Sequence, residues 1–145
     1  MLLTGSGQID AQRAFARLVR ARRRASILAR LRRGGACTRL RVYDPAATAG
    51  AAAAAGGGVR EIPIDAINGT LEPSRATQFD GAFRPAPTAR ARWERVWLAE
   101  HRGAPLPPIT VSPVDDGFAI RDGHHRVSVA RARGALTIDA IVDVL

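Results

Sequence analysis

Asp122-Gly123-His124-His125-Arg126 stands between a run that reads as a strand and a run that reads as a helix. The first turn of a helix has N–H groups without intrahelical partners, and these attract anions. A glycine, two imidazoles and a guanidinium at that place read as a phosphate seat. Gly123 lets backbone approach a phosphate with no side chain in the way. His124 and His125 offer hydrogen bonds, and one of them is expected to titrate near neutral pH and gain affinity when protonated. Arg126, fixed in charge and forked, can hold two oxygens at once. The structural alternative makes Asp122 the N-cap and leaves His124 and Arg126 to surface bonds.

The flanks set the order of elements. Ile109–Val114 and Phe118–Arg121 carry apolar residues around Asp115-Asp116-Gly117, the composition of a strand, a tight turn and a strand. Val127, Val129, Ala130 and Ala132 belong to a short helix that Gly134 closes. Ile138, Ala140, Ile141, Val142 and Val144 form a last strand. Upstream, Glu61 to Ile67 alternates like a half-buried strand, and Pro63 places it at a sheet edge or at the strand's start. A polar loop with Arg75, Asp80 and Phe83-Arg84-Pro85 follows, then a helix from about Thr88 to His101 whose Trp93, Val96 and Trp97 share a side. Those tryptophans are expected in the core. The fold class is α+β: a small mixed sheet with flanking helices.

With these elements in order, the chain resembles the ParB/sulfiredoxin superfamily from about Val59 to Leu145. Chromosome-partitioning ParB proteins, sulfiredoxins and ParB-like free-serine kinases carry a Gly-x-x-Arg element at the start of a helix, where it holds nucleotide phosphates. Gly123-His124-His125-Arg126 is this chain's version, closest to small bacterial ParB-like proteins with a DGHHR-V-S-V-A signature. The resemblance implies a nucleoside triphosphate, possible Mg²⁺, and a second phosphate-facing loop, for which Arg75 is the candidate and Arg84 the runner-up. Sulfiredoxin activity is not implied, because His124 stands where that family has its catalytic cysteine.

Two classes of function stay open. One is a nucleotide-binding, nucleic-acid-associated module. The other is an enzyme, either a phosphotransferase or NTPase or, less favoured, a nuclease. Phosphoryl transfer needs a base and usually carboxylate-held Mg²⁺; Asp122 is the catalytic candidate, with Glu72 and Asp80 able to approach from the loop. Adjacent histidines at a helix start diverge by about 100° and do not chelate one ion together, so no metal site is expected.

The charge is unevenly placed. The 145 residues carry a net charge of +9, and all 22 basic residues are arginine. Residues 1–44 hold 11 of them against Asp10 and Asp44, whereas 45–145 balance 11 arginines with 11 acids, so the whole excess is N-terminal. This segment reads as a helix from about Ile9 to Arg33, with Arg13, Arg17, Arg20 and Arg24 on one face and Ala11, Phe15, Leu18, Ala25 and Ala29 opposite. Near Ile27 the pattern drifts. Such a face suits nucleic-acid phosphates, an anionic membrane or an acidic partner, unless it is simply solvated. The division expected is a basic helical segment over 1–44, an Ala/Gly tether over 45–58, and a ParB/sulfiredoxin-like domain over 59–145. The glycine runs, including Gly5-Ser6-Gly7, Gly34-Gly35 and Gly56-Gly57-Gly58, lack the following residues of a nucleotide loop. A lone cysteine, Cys37, points to a reducing cytoplasm, and neither a secretory leader nor a membrane-spanning run is read.

Overall fold

Alternate residues of Thr137–Val142 (β5) are buried and exposed in turn, the period of a strand with one covered face. Four further strands complete its sheet: β1 (Val59–Pro63), β2 (Ile67–Thr70), β3 (Ile109–Val114) and β4 (Gly117–Asp122). Their spatial order is β1-β5-β3-β4-β2. The β1/β5 and β3/β4 pairs are antiparallel, and β5/β3 and β4/β2 are parallel, so the sheet is mixed. Three helices accompany it: α1 (Leu3–Leu31), α2 (Arg90–His101) and α3 (His124–Ala132). This computed structural model describes residues 3–32, 39–45 and 58–142. Cys37, Gly34, Gly35 and most of the expected tether lie outside them.

The sequence reads Glu61 to Ile67 as one strand, but the chain divides there. Pro63 has no N–H with which to continue a ladder, and a 3₁₀ turn at Ile64–Ala66 follows. Ile64 bonds instead to the Leu136 carbonyl, 3.0 Å away. The two halves end on opposite edges of the sheet, β1 beside β5 and β2 beside β4. Strand β2 itself, Ile-Asn-Gly-Thr, has the composition of a loop, and burial of its last two residues overrides that local preference.

Its outer edge is not bare. Thr70 N–H donates to Arg41 O (2.9 Å), and Tyr43 N–H donates to Thr70 O (2.8 Å). Asp116 clips this added segment down, accepting from the Tyr43 hydroxyl at 2.7 Å and pairing with Arg41 at 3.0 Å. Gly69 permits the approach, since a Cβ there would fall within 2.7 Å of the Tyr43 ring.

Apolar residues gather in layers. Ile62, Ile109, Val111, Ile120, Ile138, Ala140 and Val142 from the sheet meet Val127 and Ala130 of α3, together with Phe79 and Phe83. Trp93 and Trp97 of α2, Val129 of α3, and Ala11 and Phe15 of α1 make a second cluster. Both tryptophans are therefore core. The Trp93 indole N–H donates to Ser128 Oγ at 2.8 Å, and its ring meets Phe15 at 5.6 Å. Ala11 and Phe15 are four residues apart, which puts them on one helical face. Through that face α1 docks on α2 and α3, while Arg22 donates to the carbonyl of Thr77 at 3.0 Å.

Candidate functional site

Gly123 caps α3 in a left-handed conformation, φ 114° and ψ 25°. A side chain there would be strained twice over: by the dihedral, and by Ile109, whose Cβ lies 2.7 Å from where a new Cβ would sit. Asp122, the N-cap of the structural alternative, ends β4 opposite Thr110, and among the described residues no side chain caps the helix. Among the described residues no side-chain oxygen caps the first turn, the condition under which a helix start attracts an anion.

The two histidines go inward. His124 and His125 are 3% and 7% exposed. His124 Nε2 shares a hydrogen bond of 2.6 Å with Thr70 Oγ1, which also accepts from the Glu72 N–H at 2.9 Å. Phe79 stacks on the His124 ring at 6.1 Å and meets His125 edge-on at 5.2 Å. Burial pushes His124 down to about 3, with Arg75, His125 and Arg92 adding to the shift. His125 is pushed down to about 4 by burial, then by Arg92 and Arg75. Titration near neutral pH is therefore not found: desolvation and two neighbouring guanidinium charges keep both rings neutral. Any attraction for an anion comes from Arg75, Arg92 and the helix start, not from imidazolium.

The remaining expected residues separate. Arg75 lies with the histidines, held by a 2.7 Å bond to Gln78 Oε1. Arg126 is engaged elsewhere: it donates to the Pro107 carbonyl, and its Nε lies 3.5 Å from Glu100 Oε1. Arg84 pairs at 3.2 Å with Asp80, which also accepts the backbone N–H groups of Ala82 and Arg84, so its charge is already matched. Asp122 is exposed at the strand end. Arg13, Arg17, Arg20 and Arg24 are all exposed on α1.

Two participants escaped the sequence reading. Nothing in the sequence distinguishes Arg92; it is exposed on α2, and the packing of α2 against α3 brings its charge to bear on the histidines. Thr70 is fully buried and holds His124, but it lay in what read as a loop. A triphosphate fits the cationic surroundings. Among the described residues no group of three or more His, Cys, Asp or Glu is placed to hold a metal ion.

Against known proteins, the solved structures offer a likeness. The chain is similar to sulfiredoxin from Arabidopsis thaliana at 20% identity, over 59% of this chain and 84% of that one, with a TM-score of 0.43. No family model and no curated protein matches the chain. No helix among the described residues is long and apolar enough to cross a membrane.

Proposed function

We propose that the start of α3 binds the phosphates of a nucleotide. The observation that carries this is the start of α3 at Gly123, which no side chain caps among the described residues, over a buried His124–His125 pair that feels the charges of Arg75 and Arg92. Two fixed cations and an uncapped helix start favour fixed negative charge, and charge-assisted hydrogen bonds are the stronger kind. Neutral histidines add packing and orientation without competing for the anion.

Calorimetry with ATP and GTP on the full chain tests the reading. Arg75→Ala with Arg92→Ala is expected to weaken binding at least tenfold, about 1.4 kcal/mol, within the range for bonds to charged groups. Circular dichroism should stay unchanged, because both side chains lie outside the apolar clusters. Unaltered affinity in the double variant contradicts the proposal.

A second part of the function is association with nucleic acid. Arg13, Arg17, Arg20 and Arg24 are exposed on a helix that is anchored by its other face, so an arginine ridge is held outward at a fixed place.

A further inference from the structure

Helix α1 is not a bare ridge on a flat surface. Along one flank, against α2 and the end of α3, runs a groove of about 440 Å³ lined by Arg13, Arg17 and Arg133. His101 and Asp10 share it, and Arg133 lies over the Trp97 ring at 5.1 Å. Along the other flank, against the turn at Pro87, runs a groove of about 370 Å³ lined by Arg20, Arg23 and Arg90. It meets a further groove of about 320 Å³ at Val19, Arg23 and Pro87, and neither carries an acidic lining residue. Of these six arginines, Arg90 is paired with Glu94 at 2.9 Å. Arg13, Arg17, Arg20 and Arg23 have no ion pair or hydrogen bond to the described residues.

We infer that α1 lies in the major groove of duplex nucleic acid, with the two phosphate strands seated in the arginine-lined grooves on its flanks. The dimensions agree. A helix with its side chains is about 10–12 Å across, and the major groove of B-DNA is about 12 Å wide with a phosphate strand on each side. A single strand would need one groove, not two. A bilayer is flat and does not enter concave flanks. The exposed ridge from Arg13 to Arg24 covers 12 residues, about 16 Å along the axis. Arginine on both sides, with no patterned amide side chains along the ridge, fits backbone contact without base readout.

This inference deepens the nucleic-acid part of the proposed function and rests on it; the nucleotide seat is independent of it. The test compares binding of a fluorescent 20-base-pair duplex, the corresponding single strand, and phosphatidylserine vesicles by the full chain across a salt series. Duplex binding is expected to exceed single-strand binding at least tenfold, with a salt slope of about −0.9 per phosphate neutralised. Arg13→Ala/Arg17→Ala and Arg20→Ala/Arg23→Ala remove arginines from one flank each. Each pair is expected to cost at least fivefold and to make the slope shallower by about 1.8. A charge-matched pair away from both flanks, Arg60→Ala/Arg95→Ala, should cost less than twofold.

Binding that is equal for single strand and duplex, or sensitive to one flank only, overturns the two-groove inference while nucleic-acid association stands. Uptake by vesicles without duplex binding overturns both. Arg75→Ala/Arg92→Ala should leave duplex binding within twofold, which separates this result from the nucleotide seat.

Discussion

The start of α3 and the outer face of α1 are both cationic, yet they work in opposite ways. At α3 the charges of a half-buried Arg75 and an exposed Arg92 are felt by two buried imidazoles beside an uncapped helix start. Along α1 many guanidinium groups stand in water, where each is worth little alone and the sum matters only to a polyanion. Elsewhere arginines have been matched: Arg41 with Asp116, Arg84 with Asp80, Arg90 with Glu94 and Arg126 with Glu100. The lesson is that net charge by itself says little about where an anion binds; the cations without a carboxylate partner are the informative ones.

This contrast depends on α1 being fixed to the core and not waving as a separate arm. Phe15→Ala probes that most strongly. Phe15 is 5% exposed against Trp93, and removing a buried phenylalanine costs about 3–5 kcal/mol. A urea denaturation midpoint should fall accordingly. An unchanged midpoint would mean that α1 is not part of the cooperative fold, and the ridge would lose its fixed position.

Acidification probes the dry side of the comparison. Both histidines have folded-state values below the ordinary 6.5, about 3 for His124 and about 4 for His125. The unfolded chain therefore takes up protons first as the pH falls, and their contribution, complete above 6.5, is lost progressively toward the folded-state values. The expected slope is about 1.4 kcal/mol per pH unit for each histidine across that window. Denaturation at pH 7 and pH 5 measures it, and His124→Gln/His125→Gln should flatten the difference. An equal pH dependence in the variant would show that these rings are not held neutral by the fold.

Much of this was legible in the sequence, and the failures have causes. The strand, turn, strand, helix and strand from Ile109 onward follow from local signals: Asp115-Asp116-Gly117 at the turn and Gly134 past the helix. The arginine face of α1 followed from spacings of four, three and four. What could not be read was the partnership of side chains distant along the chain. Gly-His-His-Arg suggested four groups facing one ligand, but a helix start turns successive residues by about 100°. His124 and His125 therefore go to Phe79 and Thr70 while Arg126 goes to Glu100 and Pro107. Arg92 takes part only because Trp93, its neighbour, is buried against α3 and fixes the rotation of α2. The split of Glu61–Ile67 was signalled by Pro63, but its destination on two sheet edges is a property of the whole topology.

The most direct measurement is an amide NMR titration of the full chain with ATP. The account predicts saturable shifts centred on Gly123, His124, His125 and Arg126, with Arg75 and Arg92 following and the α1 amides little changed. Shifts confined to α1, with the start of α3 silent, would contradict it.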